Sequence, residues 1–167
     1  MKFKVFSLFI LALLMLACKN PGSRSKGVSD SSPNVNDYGV FGEPVNETGQ
    51  QVAFVAEDIP FDDFVGNAQQ AGKPYWVYFY ADWCKPCKRL SAYTFSDPSI
   101  IDFSDTQLLA YKVDVDQFSG MDIAERFSVG EYPTILLFNA NGQLKDKLEG
   151  FMTANVFLNK LKGLKKS

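Results

Sequence analysis

Two cysteines, Cys84 and Cys87, stand two residues apart directly behind an apolar run. Cysteines at this spacing form a redox-active disulfide, bind a metal ion with other ligands, or close a structural disulfide. The chain has three cysteines and no histidine, so it could complete a zinc site only by recruiting carboxylates or a second copy. We therefore predict no metal site. A structural disulfide over so short a loop would constrain the unfolded chain little, which favours the redox interpretation.

The elements on either side of the pair favour the same chemistry. Tyr75 to Tyr80 is typical of a central strand covered on both faces, and the residues after the cysteines predict a helix to about Tyr93. Cys84 would then lie at the helix N-terminus, where unpaired backbone N–H groups and the helix dipole favour a thiolate. Lys85 adds a positive charge beside it.

This arrangement predicts a different role for each cysteine. Cys84 is the predicted nucleophile, because a cysteine in that setting has a pKa that falls from about 8.5 into a range of roughly 3.5 to 7.5. Cys87, one helical turn later, is expected to be less exposed. It is the predicted resolving thiol, which attacks the mixed disulfide formed at Cys84.

The remaining apolar patterns predict a domain of alternating strands and helices. A short strand is predicted at 52–55, and a helix over 61–71 should end at Gly72-Lys73-Pro74. Further strands are predicted at 108–115, 134–138 and 143–149, with helices after Pro98, over 121–127 and over 153–164. This order indicates an α/β fold with a mixed central sheet flanked by helices.

The N-terminal residues differ in character from the rest of the chain. Residues 1–17 have a charged start and an apolar run that is short for a bilayer span, as in a secretion signal. The run ends at Ala17-Cys18 in a sequence that resembles the lipobox of bacterial lipoproteins. We therefore predict a lipoprotein signal peptide over 1–17 and lipidation at Cys18, whose acyl chains would anchor the protein. The alternative is a plain secretion signal with an incidental Cys18.

The predicted organisation places the protein outside the cytoplasm. Residues 18–50 comprise the lipidated cysteine and a flexible tether rich in Ser, Asn, Gly and Pro, and residues 51–167 form one folded domain. The expected location is a bacterial membrane, with the domain facing the periplasm or the cell surface. The formal net charge of −2 suggests no nucleic-acid partner, and we expect a monomer.

Several separated motifs, from about Gly72 to Leu161, resemble the thioredoxin family. They are Gly72-Lys73-Pro74, Tyr80-Ala81-Asp82-Trp83-Cys84 with Cys87-Lys88, Tyr93-Thr94-Phe95-Ser96-Asp97-Pro98, Tyr132-Pro133-Thr134-Ile135 and Gly150-Phe151-Met152. More narrowly, the segment is similar to the C-terminal periplasmic domain of the DsbD family of transmembrane reductant conductors. The resemblance implies a thioredoxin fold for residues 51–167 and no cofactor.

The resemblance also implies a substrate-binding surface beside the cysteines. Pro133 is expected to be cis and to face the cysteines, and the backbone of Tyr132 to pair with an extended substrate segment. Trp83 is expected to belong to the same surface, with simple packing in the core as its alternative.

Two acids of the related domains are missing from this chain. The relatives have a buried Asp six residues before the first cysteine and a Glu four residues after the second, where this chain has Tyr78 and Ser91. Without those negative charges we predict a lower pKa for Cys84 than in the relatives. Asp82 is the nearest candidate base. Asp114 and Asp116 form a pair of carboxylates that we interpret as part of a polar loop.

The favoured function is that of a thiol–disulfide oxidoreductase that reduces protein disulfides. In an oxidising envelope, a reductase needs electrons from a membrane donor, and the resemblance suggests one of the DsbD type. One alternative is a non-catalytic binding module that holds a partner at the Tyr132-Pro133 edge. Another is a disulfide oxidase or isomerase, which would use the same residues at a different reduction potential.

Overall fold

The computed structural model describes residues 49–55 and 58–164. The predicted signal peptide, Cys18 and nearly all of the predicted tether lie outside these residues. The elements run in the order α1 (Phe61–Gln70), β1 (Tyr75–Tyr80), α2 (Lys85–Tyr93), α3 (Pro98–Gln107), β2 (Leu109–Asp114), α4 (Phe118–Arg126), β3 (Thr134–Phe138), β4 (Leu144–Glu149) and α5 (Ala154–Leu164).

The four strands form one mixed sheet in the order β2-β1-β3-β4. β1 is parallel to β2, antiparallel to β3, and β3 is antiparallel to β4. Tyr80 pairs with Asp114 and Phe79 pairs with Thr134. The carboxyl ends of β1 and β2 and the start of β3 therefore lie at the same end of the sheet. We call this the site end. The predicted mixed sheet with flanking helices is confirmed.

β1 is the buried centre of this sheet. Five of its six residues are buried, as expected for a strand covered on both faces. Beneath it, the ring of Phe95 lies 4.9 to 5.9 Å, between ring centroids, from the rings of Phe54, Trp76, Tyr78 and Phe157. Aromatic pairs at such distances stabilise a core beyond their buried area. This packing fixes the strand that leads to the cysteines.

Local signals account for the helix boundaries. At α3, the Asp97 side chain accepts a hydrogen bond from the backbone N–H of Ser99 at 2.8 Å, and Pro98 occupies the first turn. After α1, Gly72 has a φ of +60°, which glycine adopts without strain. Within the described ranges, the helices have 9 to 11 residues and none is long and apolar enough to cross a membrane.

Two predicted elements differ from the structure. Residues 52–55 do not form a strand, because the backbone N–H of Ala53 donates to the Asp105 carboxylate at 3.0 Å and not to another strand. The N–H of Val55 alone reaches β2, at the carbonyl of Ala110. In addition, α4 begins at Phe118, three residues earlier than predicted, so its first turn lies close to the site end.

The first turn of α4 packs closely against the end of β2. Gly120 is buried there, and a β-carbon at this position would clash with the backbone carbonyl of Asp114, approaching its carbon to 2.7 Å. Glycine is needed because two backbone segments touch at this point. This contact sets the position of the loop between β2 and α4.

Replacing Gly120 should therefore be costly. We expect Gly120→Ala to lower the free energy of unfolding by about 1–3 kcal/mol, because backbone must shift to make room for the methyl group. Gly66→Ala in α1 is the matched control, since the space around Gly66 is open and alanine favours a helix by about 0.5–1 kcal/mol. Urea denaturation compares the two. Equal stability of both variants would contradict the close contact.

Candidate functional site

The predicted cysteine pair lies at the site end as a disulfide between Cys84 and Cys87. The Cα atoms of the two residues are 5.2 Å apart. Buried β1 ends at Tyr80, and a short turn closed by a hydrogen bond from the Cys84 N–H to the Ala81 carbonyl leads into α2. The strand and the helix together hold the pair in place.

Cys84 occupies the N-cap position of α2. Its sulfur accepts a hydrogen bond from the backbone N–H of Cys87 at 3.1 Å. The same N–H and the helix dipole would stabilise a negative charge on that sulfur after reduction. Lys85 is exposed one residue away and contributes a positive charge. The lowered pKa of the reduced Cys84 thiol stays a prediction.

Burial does not separate the two cysteines as we expected. Cys84 is 3% exposed and Cys87 is 2% exposed, so neither is clearly the more accessible. The disulfide explains this result, because it bonds the two sulfurs to each other at the start of α2. Their roles must therefore be distinguished by chemistry and not by exposure in the oxidised state.

Tyr78 and Ser91 come together beneath Cys87. The Tyr78 hydroxyl donates a hydrogen bond to the backbone carbonyl of Cys87 at 3.3 Å. Burial raises the pKa of Tyr78 to about 12, a hydrogen bond with Ser91 opposes that rise, and Tyr80 adds to it. A neutral phenol therefore occupies this position at physiological pH. Sequence reasoning identified both residues as departures from the relatives but missed their contact with each other.

The predicted substrate-binding residues lie at the site end of the sheet. The Tyr132–Pro133 peptide bond is cis, as the resemblance implied, and it immediately precedes β3. Trp83 is 66% exposed, so it is not a core residue. Its ring contacts the Tyr132 ring edge to face, with 6.1 Å between centroids. The residue that precedes Cys84 therefore contacts the loop that contains the cis peptide bond.

Asp116 has a contact that sequence reasoning missed. Its carboxylate accepts a hydrogen bond from the Trp83 indole N–H at 3.1 Å. The Asp114 carboxylate in turn accepts the backbone N–H of Asp116 at 3.0 Å. The polar loop predicted here thus also orients the exposed indole. Asp116 lies 33 positions after Trp83 in the chain, which explains why no local pattern indicated this contact.

Asp82 and the possibility of a metal site remain from the sequence analysis. Asp82 lies two residues before Cys84 and is exposed. Across residues 49–55 and 58–164, no group of three or more histidine, cysteine or acidic side chains is arranged to hold a metal ion. The chemistry available at the site is therefore that of the cysteine pair and its hydrogen-bonding partners.

Comparison with known proteins identifies related sequences. Residues 61–165 match the family described as a thioredoxin-like domain. The chain is 36% identical over 120 residues to the thiol:disulfide interchange protein DsbD of Salmonella typhimurium, covering 70% of this chain and 21% of that protein. It is 31% identical over 166 residues to DsbD of Yersinia enterocolitica, covering 96% of this chain and 26% of that protein. The matches thus span only about a fifth to a quarter of these relatives.

Solved structures share the architecture. A thioredoxin from Thermus thermophilus superposes with a TM-score of 0.60 at 22% identity, covering 69% of this chain and 88% of that one. The oxidised C-terminal domain of DsbD from Neisseria meningitidis superposes with a TM-score of 0.56 at 23% identity, covering 66% of this chain and 98% of that one. These similarities confirm the predicted thioredoxin fold.

The buried Tyr78 hydroxyl should make folding sensitive to alkaline pH. Its pKa is about 12 in the native chain and about 10 in an unfolded one, so between these values only the unfolded chain releases the proton. This group leaves stability unchanged below about pH 10. As the pH rises from about 10 to about 12, it should lower the free energy of unfolding by up to about 2–3 kcal/mol.

Urea denaturation over an alkaline pH series measures this effect. Tyr78→Phe should flatten the fall in stability and, at neutral pH, cost about 1 kcal/mol for the lost hydrogen bond to Cys87. Tyr93→Phe, at a partly exposed position at the end of α2, controls for the loss of one phenol. If Tyr78→Phe and the unchanged chain lost stability equally with rising pH, this account of Tyr78 would be wrong.

Proposed function

This chain belongs to the thioredoxin-like family, and on that basis we propose that it is a thiol–disulfide oxidoreductase of the bacterial cell envelope. The observation that carries the proposal is the disulfide between Cys84 and Cys87 at the N-terminus of α2. Its substrates are protein disulfides. The reactive groups are the sulfurs of Cys84 and Cys87, and the reaction needs no cofactor.

The first step forms a bond between the two proteins. In the reduced chain, the Cys84 thiolate attacks one sulfur of a substrate disulfide. A new disulfide joins Cys84 to the substrate, and the second substrate sulfur leaves as a thiolate that takes up a proton. The hydrogen bond from the Cys87 N–H, which Cys84 accepts in the disulfide, favours the thiolate that begins this step.

The second step releases the substrate. Cys87 loses its proton and attacks the Cys84 sulfur, which breaks the bond to the substrate and closes the disulfide within α2. The substrate sulfur that was bonded to Cys84 leaves as a thiolate and is then protonated. Two electrons have passed from the cysteine pair to the substrate, so the pair must be reduced again by a dithiol donor before the next turnover.

An extended substrate segment is expected to lie across the loop before β3. The backbone of Tyr132, in the loop before β3, is the proposed partner of this segment. Proline has no N–H of its own to satisfy. Trp83 packs against Tyr132 and offers an exposed ring beside the reacting sulfur. These three residues form the proposed substrate-binding surface.

The proposed direction is reduction of substrate disulfides. The similarity to DsbD, whose name describes thiol:disulfide interchange, supports disulfide exchange as the chemistry. Disulfides in an oxidising compartment persist unless electrons are supplied, so the proposal includes a membrane electron donor of the DsbD type. An oxidase would run the same two steps in reverse.

We further propose that the chain is lipid-anchored through Cys18 and acts as a monomer facing the periplasm or the cell surface. The apolar run that ends at Ala17-Cys18 supports the anchor. Detergent phase partitioning of the wild-type chain and of Cys18→Ala tests this part. Membrane association of the wild type that does not depend on Cys18 would argue against lipidation.

Single cysteine variants test the proposed function. Cys87→Ser should accumulate mixed disulfides with envelope proteins, because the bond formed at Cys84 is no longer resolved. Cys84→Ser should accumulate almost none, since its remaining thiol is the resolving one. Both variants should lose reduction of a peptide disulfide in the presence of dithiothreitol. Acid trapping followed by non-reducing electrophoresis separates these species.

Two results of that experiment would contradict the assignment. Equal trapping by both variants would mean that Cys84 is not the preferred nucleophile. The absence of mixed disulfides from Cys87→Ser, together with inactivity of the wild type toward peptide disulfides, would argue for a binding module without redox turnover.

A further inference from the structure

Two large apolar side chains are exposed in the helix that follows the loop at the site end. Phe118 is 88% exposed and Met121 is 54% exposed, both in the first half of α4. We call these two residues the α4 patch. The other large apolar residues exposed in the described part of the chain, besides Trp83, are Leu144 and Val156, on β4 and α5.

The α4 patch lies next to the exposed indole of Trp83. The Trp83 indole donates to Asp116, and Phe118 follows Asp116 by two residues. An extended chain advances at most about 3.6 Å per residue, so the Cα atoms of Phe118 and Asp116 are no more than about 7 Å apart. Met121 stands three residues after Phe118, on the same side of the helix. The patch thus begins two residues after the carboxylate that holds the Trp83 indole.

The packing of α4 keeps this patch on the surface. The opposite side of the helix, with Gly120, Ile123 and Ala124, is buried. Gly120 touches the backbone of Asp114, which prevents the helix from rotating in place. A rotation would also carry polar residues into the core. Phe118 and Met121 therefore remain exposed to solvent as long as no partner covers them.

The two sides of the disulfide differ in charge. On the α2 side, Lys85 and Lys88 are exposed and positively charged. On the α4 side, the run from Gln117 to Met121 contains no charged residue. A partner segment that lies over Phe118 and Met121 gains most from apolar groups, because covering these two side chains removes apolar surface from water.

We infer that the α4 patch extends the substrate-docking surface and selects protein disulfides that carry an aromatic or aliphatic side chain beside the reactive cysteine. This inference rests on the proposed function and names its substrate class. Aromatic and methionine side chains are enriched at the centres of protein interfaces. The flexible thioether of Met121 would let the surface adapt to side chains of different shape.

A lipid surface is the competing occupant of the patch. It is disfavoured because Asp116 and Asp122, which flank the patch in the chain, are exposed and would be repelled by an anionic membrane. Contact of this face with lipid would also cover the loop that holds Cys84. A lipid probe is therefore needed to distinguish a membrane from a protein partner.

Two peptides, each with one internal disulfide, test the proposed selectivity. They differ only at the residue next to the reactive cysteine, which is Phe in one and Gln in the other. With the full-length chain and excess dithiothreitol as electron donor, kcat/KM should favour the Phe peptide about tenfold, equivalent to about 1.4 kcal/mol. In the double variant Phe118→Ala/Met121→Ala this ratio should fall to about one.

The chain offers a matched control for the loss of exposed apolar area. Leu144→Ala/Val156→Ala removes two apolar side chains that are 48% and 51% exposed, on β4 and α5. This control should keep the tenfold ratio. Retention of the ratio by Phe118→Ala/Met121→Ala, or its loss in the control, would overturn the inference.

Vesicles of brominated phosphatidylcholine and phosphatidylglycerol provide the lipid probe. Trp76 is fully buried, so any quenching of tryptophan emission reports contact between Trp83 and lipid. Quenching that disappears in Phe118→Ala/Met121→Ala would assign the patch to the membrane and overturn the inference. Equal emission with and without the brominated lipid supports a protein partner.

Reduction of 2-hydroxyethyl disulfide distinguishes failure of this inference from failure of the proposed function. If the chain reduces this small disulfide but treats the two peptides alike, the inference fails and the proposed function stands. If it reduces neither the small disulfide nor the peptides, both fail together.

Discussion

The backbone N–H of Cys87 donates to the sulfur of Cys84 at 3.1 Å, and the site depends on keeping that N–H in position. The sulfur is the cap of a helix whose first turn has no other acceptor within itself for this group. Tyr78 reaches from β1 to the carbonyl of the same residue, so a strand side chain also holds the backbone of Cys87. The aromatic packing that fixes β1 thus also helps to hold the N–H group that donates to the Cys84 sulfur.

The surface around the start of α2 has exposed apolar side chains on one side, and this bears on substrate choice. Trp83 is held by the Asp116 carboxylate on one side and packs against Tyr132 on the other. The same loop leads into α4, whose first turn is fixed by the contact between Gly120 and the end of β2. The residues that orient the exposed indole therefore also set where Phe118 and Met121 stand.

Local sequence signals were sufficient for the elements that position the cysteines. The buried run of β1, the start of α2 at the cysteines and the Asp97-Pro98 cap each depend on neighbouring residues, and each prediction is confirmed. The predicted strand at 52–55 is wrong because its backbone bonds to the carboxylate of Asp105, which lies 52 residues further along the chain.

The interactions that tune the site could not be predicted in the same way. The contacts of Tyr78 with the Cys87 carbonyl and of Trp83 with Asp116 join residues from different elements. Their geometry follows from how the elements pack, so no local spacing indicates it. Sequence patterns also do not show that the disulfide leaves both cysteines equally buried, or that α4 begins early enough to place Phe118 beside the site.

The central claim, that the Cys84–Cys87 pair works as an electron donor to protein disulfides, is tested most directly by its reduction potential. Equilibration of the protein in dithiothreitol or glutathione buffers, with the reduced fraction followed by thiol alkylation, gives this value. The account predicts a potential near that of thioredoxin, about −270 mV. A potential near that of DsbA, about −120 mV, would contradict it, because such a pair takes electrons from its partners.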